Sequence, residues 1–178
     1  LFSYDENVYK TKLTGNHQIE NTVNAIECAK VLKLSDDAIA QGIENTRMIA
    51  RMEIIEKKPL VIRDGGHNEG CAEALYNFLT KYNVQNINLL IGLMADKDVE
   101  GYVEKIVPLC NSVITVTPSN PRALNGVDLK IITEKYCDDC KFINNPKEGY
   151  KYILSNTKEY ETVLVCGSFY MMSDIFGE

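Results

Sequence analysis

Leu60-Val61-Ile62-Arg63-Asp64-Gly65-Gly66-His67-Asn68-Glu69-Gly70 is an apolar run that stops abruptly on a polar turn. Leu60, Val61 and Ile62 are the residue types of a strand buried on both faces. Two glycines then permit a tight turn and the close approach of another backbone or a ligand. Beyond them Ala72, Leu75, Phe78 and Leu79 recur at helical spacing and give the returning segment one buried face. The stretch reads as strand, turn, helix. It presents Asp64, His67 and Asn68 at a strand end beside a helix N-terminus, with Asp64 or Asn68 available as the helix cap. In an open α/β sheet the crevice beyond the carboxyl ends of the strands is where ligands bind.

The same alternation continues along the chain. Residues 52–56 and 60–63, separated by Lys57-Lys58-Pro59, read as a hairpin that places one antiparallel strand at a sheet edge. A helix is expected over 68–82 and a buried strand over 87–92. The loop Met94-Ala95-Asp96-Lys97-Asp98 then leads to a helix through Tyr102, Val103, Ile106 and Leu109. Residues 112–117 form the next strand, followed by Pro118-Ser119-Asn120-Pro121-Arg122-Ala123, whose prolines forbid helix. A helix over 129–136, a short strand over 141–143, a helix opened by Pro146 and a strand over 162–166 complete the pattern, before Gly167-Ser168 and a short terminal helix.

Strands separated by helices of this length pair in parallel. The fold class is therefore α/β and Rossmann-like: a mostly parallel sheet with one antiparallel edge strand and helices on both faces. Parallel strands bring four loops to one edge, carrying Asp64/His67/Asn68, Asp96/Lys97/Asp98, Asn120/Arg122 and Gly167/Ser168. The strand before Lys97 is expected beside the one ending at Asp64, so that their loops face each other and Asp96 and Asp98 both brace the Lys97 ammonium. Two cations among helix N-termini suit an anionic ligand. A dinucleotide domain would need G-x-G-x-x-G after a strand, and the sequence has none.

Upstream, residues 1–12 are polar with scattered Tyr and Phe, and Leu13-Thr14-Gly15-Asn16-His17-Gln18 leads into a helix with Val23, Ile26, Cys28, Ala29, Val31 and Leu32 as its apolar face. Ser35 or Asp36 caps a second helix through Ile39 and Ile43. Residues 1–50 are thus read as helical, without strands, and as the tail of a preceding domain; opening on Leu1 rather than Met suggests a piece of a longer protein. Across the 178 residues the net charge is −6, which argues against a nucleic-acid surface, and no run has the length of a membrane span. The six cysteines lie mostly in apolar patterns, as in a reducing cytoplasm, and one C-x-x-C (Cys137, Cys140) with only His17 and His67 elsewhere does not make a metal site.

Taken together, Gly15-Asn16-His17-Gln18 with Asn21, Arg51-Met52-Glu53, Asp64-Gly65-Gly66-His67-Asn68, Ala95-Asp96-Lys97-Asp98, Asn120-Pro121-Arg122-Ala123 and Val165-Cys166-Gly167-Ser168 resemble the C-terminal region of folylpolyglutamate synthase and dihydrofolate synthase, in the Mur ligase superfamily. Two positions depart from that pattern: Gly66 stands where the family usually has Ala, and Ala50 where Gly commonly precedes the Arg. No G-x-x-x-x-G-K-[ST] phosphate loop occurs. The resemblance implies that residues 1–50 are the tail of the ATPase domain and 51–178 the glutamate ligase domain, inactive without the ATPase domain in cis. It implies ATP as cofactor, Mg2+ held mainly by the other domain, and glutamate and a folate or dihydropteroate as substrates, joined through an acyl phosphate. By position it places Asn21 on adenine, Arg51 and Asp64 on phosphate and ribose and His67 on the nucleotide. Asn68, Lys97, Ser168 and Arg122 fall on the substrate side, with Lys97 and His67 as the catalytic pair. The alternative is a non-catalytic Rossmann-like nucleotide- or anion-binding regulatory domain.

Overall fold

A computed structural model describes residues 1–177. Its centre is a six-stranded sheet of β3 (Glu53–Lys57), β4 (Leu60–Asp64), β5 (Ile87–Ile91), β6 (Cys110–Thr115), β7 (Cys140–Phe142) and β8 (Thr162–Cys166), in the order β3-β4-β8-β5-β6-β7. All neighbours are parallel except β3 and β4, the antiparallel edge pair. Because side chains alternate across a strand, Val61, Val163 and Val165 enter one apolar layer and Ile62, Leu164 and Cys166 the other. Helices α3 (Glu69–Lys81), α4 (Val99–Ile106) and α5 (Gly126–Thr133) cover the second layer, and α6 (Pro146–Asn156) and α7 (Phe169–Phe176) the first. Helices thus lie on both faces, as the sequence pattern requires.

Several expectations need correction. β5 does not lie beside β4: the last strand, β8, is inserted between them and pairs with both, from Leu60 and Ile87 opposite Thr162 to Asp64 and Ile91 opposite Cys166. Strand order is set by which chain segments return to the sheet, and local periodicity carries no trace of it. Helix α5 starts three residues before the expected point, because Asn125 caps it by accepting a bond from Val127 N at 2.8 Å. Residues 1–50 are not purely helical either. Phe2–Tyr4 (β1) and Asn7–Tyr9 (β2) form a two-stranded antiparallel hairpin, its turn made by Asp5 and Glu6, both at positive φ.

The hairpin packs on α1 (Asn16–Val31) and α2 (Asp36–Asn45) through a small cluster of Tyr9, Ile26, Ile39 and Ile43. The buried face of α1 is Gln18, Thr22 and Ile26, while Cys28, Val31 and Leu32 are exposed. Thr22 is tolerated inside because its hydroxyl donates to Gln18 O at 2.6 Å. Ser35 caps α2 as expected, accepting from Ala38 N. Among the described residues no helix is long and apolar enough to cross a membrane.

Candidate functional site

The strands β4, β8, β5 and β6 run parallel, so the loops after them share one edge. One side chain from each of the four loops lines a single cleft of about 390 Å³: His67, Lys97, Arg122 and Ser168, walled by Met94, Phe169 and Tyr170. Arg122 donates from Nη1 to Asp96 Oδ2 and from Nη2 to Tyr170 Oη, both at 3.3 Å. Lys97 Nζ lies 3.7 Å from the same Asp96 oxygen. One carboxylate therefore serves two cations, and the cluster retains positive charge for an anionic ligand. Asp98 does not brace Lys97 as expected; it caps α4, accepting from Gly101 N at 3.1 Å. Ser168 is buried and caps α7, its Oγ accepting from Tyr170 N. Its hydroxyl proton is left to point at the cleft or at its own surroundings.

A second cleft, about 300 Å³, lies where the N-terminal helices meet the sheet. It is lined by His17, Gln18, Asn21, Arg51, Asp64 and Asn68, with Met48, Met52 and Cys71 as its apolar side. Asp64 is almost fully buried, and its Oδ1 and Oδ2 accept from Gly66 N at 2.8 Å and Met52 N at 2.9 Å. Burial raises its pKa above the ordinary 3.8, opposed by those two amide bonds and by the Arg51 and His17 charges. The Arg51 guanidinium carbon stands 4.7 Å from the centre of the Phe169 ring, and Nη1 is 4.0 Å from Cys71 Sγ. Phe169 also packs against Gly65, where an added Cβ would meet the ring at 2.8 Å.

The structure thus sorts the expected residues into two groups. Asn21, Arg51 and Asp64 share the second cleft; Lys97, Arg122 and Ser168 share the first. His67, expected both with Lys97 and on the nucleotide, lines the cleft of Lys97, and Asn68, expected on the substrate side, lines that of Arg51. Asn68 also commits its side-chain oxygen to Cys71 N at 2.9 Å as the cap of α3. Periodicity marked the turn but not the direction of each side chain leaving it. The walls Phe169 and Tyr170 carry no local signal, since an aromatic in a helix reads as core; His17 and Gln18 stand in the Gly15–Gln18 motif, which assigns them no role.

A model of the family described as Mur ligase, glutamate ligase domain, matches residues 50–169. The chain belongs to this family. Among similar proteins, the dihydrofolate synthase/folylpolyglutamate synthase of Bacillus subtilis is 27% identical, over 98% of this chain and 42% of its own length. The folylpolyglutamate synthase of Lacticaseibacillus casei is 28% identical, over 92% of the chain and 38% of its own. The chain therefore spans about two fifths of these relatives. Among solved structures, E. coli FolC in complex with DHPP and ADP superposes with a TM-score of 0.84 at 23% identity, covering 97% of the chain and 40% of that protein. Thermotoga maritima folylpolyglutamate synthase gives 0.77 at 27%, covering 97% and 42%. The fold is thus shared over 97% of the chain, beyond the stretch that the family model matches.

Proposed function

We propose that the chain is the C-terminal part of an ATP-dependent ligase that adds glutamate to a folate or dihydropteroate, residues 1–50 being the end of the ATPase domain and 51–178 the glutamate ligase domain. The observation that carries this reading is the meeting of His67, Lys97, Arg122 and Ser168, one from each loop, beside a separate cleft holding Asn21, Arg51 and Asp64. The two clefts have the complementary chemistry of an amino-acid site and a nucleotide site. The second offers an amide for a base, a guanidinium for phosphate and a carboxylate for ribose hydroxyls. At about 300 Å³ it suits a nucleoside better than a whole triphosphate. Among the described residues no group of three or more His, Cys, Asp or Glu is placed to hold a metal ion, and in this reading Mg2+ is held mainly by the preceding domain. With six free thiols, the protein would work in a reducing cytoplasm.

In this reading the substrate carboxylate takes the γ-phosphoryl group of ATP in the preceding domain, giving an acyl phosphate and ADP. The amine of glutamate then attacks the acyl carbon; phosphate leaves and the nitrogen loses a proton. Lys97 and Arg122 hold the carboxylates of glutamate, the guanidinium as a fork and the ammonium as a point charge. His67 lines the same cleft, and this reading keeps it as the catalytic partner of Lys97. Holding the amine in line is worth more than any single contact, because it converts a two-molecule step into a local one.

In the enzyme carrying its ATPase domain, Lys97→Ala should raise KM for glutamate roughly tenfold to a hundredfold, the loss of one charge-assisted contact of about 1.5 to 3 kcal/mol, with KM for ATP barely moved. Steady-state kinetics with the two substrates varied separately reads this. Equal weakening toward both would remove the assignment of Lys97. The 178-residue chain by itself should bind ATP no more tightly than about millimolar, roughly 4 kcal/mol, and calorimetry showing micromolar affinity would contradict the division of the nucleotide site between two domains.

A further inference from the structure

Arg51 sits between two residues that carry side chains yet adopt the left-handed backbone region: Ala50 at φ 52° and Met52 at φ 46°. That region is unfavourable for any residue with a Cβ, and it persists only where the surroundings hold it. Both residues are fully packed, at 0% and 2% exposed. Three hydrogen bonds fix the segment. Gly65 N donates to Ala50 O at 2.7 Å, Met52 N to Asp64 Oδ2 at 2.9 Å and Ala50 N to Glu53 Oε2 at 2.9 Å.

Asp64 and Gly65 belong to the turn already described, but Glu53 does not. It lines neither cleft. It lies on the edge strand β3, directly opposite Arg63 in the register, and the same Oε2 accepts from Arg63 Nε at 2.8 Å. Arg63 is itself buried, its guanidinium 4.7 Å from the centre of the Phe176 ring. Burial alone would raise the Glu53 pKa, yet the bonds from Arg63 and the Ala50 amide outweigh it and hold the carboxyl below its ordinary 4.5. The terminal helix α7, through Phe176, thus supports a carboxylate that grips the backbone just before Arg51, while Phe169 of the same helix receives the Arg51 guanidinium.

We infer that Glu53, held by Arg63, is a positioning residue: it keeps Ala50 to Met52 in their left-handed course and so aims Arg51 at the nucleotide cleft, without touching the ligand. The inference rests on the reading of that cleft as the nucleotide site, and its test separates the two. In the full 178-residue chain, the δ-methylene protons of Arg51 should be shifted upfield by the Phe169 ring. Glu53→Ala should abolish that shift, and adding Ala50→Gly, which accepts positive φ without steric cost, should restore much of it.

Titration with ADP, followed by nuclear magnetic resonance, supplies the second arm. Glu53→Ala should weaken ADP binding about tenfold, as should Arg51→Ala, and the double variant should bind no worse than Arg51→Ala alone, because one residue acts through the other. A Glu53→Ala protein that melts earlier but keeps both the ring shift and the ADP affinity would overturn the inference, as would a double variant whose losses multiply. Should Glu53→Ala fail to fold, Glu53→Gln keeps an acceptor for the Ala50 amide while removing the charge facing Arg63, and an intermediate loss of the ring shift is expected; an unchanged shift overturns the inference. Should the unmodified chain bind ADP too weakly to titrate, as a nucleotide site divided between two domains allows, the ring shift alone decides the role of Glu53: its loss in Glu53→Ala supports the inference and its persistence overturns it.

Discussion

The two parts of the molecule bury their apolar residues very differently. The sheet of residues 53–166 is sandwiched between two large layers that share its strands, whereas residues 1–49 enclose only Tyr9, Ile26, Ile39 and Ile43 and leave Val8, Val31, Leu32, Leu34 and Ile49 in water. Burial of apolar area is the main favourable term in folding. The sheet is therefore expected to stand alone, while the hairpin and its two helices depend on few contacts, in a size range where isolated helices are marginal. What the contrast teaches is that the second cleft spans a stable wall and a weak one. Arg51, Asp64 and Asn68 are carried by the sheet, whereas Asn21, Gln18 and His17 ride on α1.

The largest effect should come from the strong side. Leu164→Ala, on the central strand β8 and fully buried, should cost about 2 to 5 kcal/mol and shift the urea midpoint of the whole sheet. Ile39→Ala should cost about 2 kcal/mol at most, at the low end for such changes, and confine its effect to residues 1–49. Hydrogen exchange would show α1 and α2 opening while β4, β5 and β8 keep their protection; a uniform loss would erase the distinction between the two parts.

Gly66→Ala tests the seam. A Cβ there would lie 2.5 Å from Cys71 Cβ, and 2.6 Å from Asp64 Oδ1, whose carboxylate is held by the Gly66 and Met52 amides. A destabilisation of about 1 to 3 kcal/mol is expected by chemical denaturation, and a neutral result would show that the turn is looser than its packing implies.

The smallest effect concerns pH. The Glu53 pKa is depressed in the fold, so its contribution is complete above its ordinary 4.5 and is lost as pH falls through the folded value. Asp64 is raised above 3.8 and contributes with the opposite sign, since the folded state takes up its proton first as pH falls. The Tm difference between the unmodified chain and Glu53→Gln should therefore shrink on acidification from about pH 6 to about pH 3. A difference that stays constant or grows would mean that the charge on Glu53 does not support the segment it grips.

Much of this was legible in the residues. Leu60 to Gly70, the four polar loops and the edge hairpin follow from period, turn chemistry and caps, and they suffice to bring His67, Lys97, Arg122 and Ser168 to one edge. The hairpin of residues 1–12 was not legible, because its turn uses Asp5 and Glu6 at positive φ where Asn-Gly or Gly would have announced it. Ala50 and Met52 hid their backbone course for the same reason. The separation of His67 from Asn68 depends on side-chain direction, and the insertion of β8 on pairing between segments far apart in the chain; neither leaves a local signal.

That insertion governs how the protein is made. A ribosome releases β4 and β5 long before β8, so during synthesis the two strands that will flank the middle of the sheet have a gap between them and no partner to fill it. Their inner edges carry unpaired amides and carbonyls until residues 162–166 emerge. A nascent chain arrested before that point would be an aggregation-prone intermediate rather than a smaller domain, and late stop codons should be as damaging as early ones.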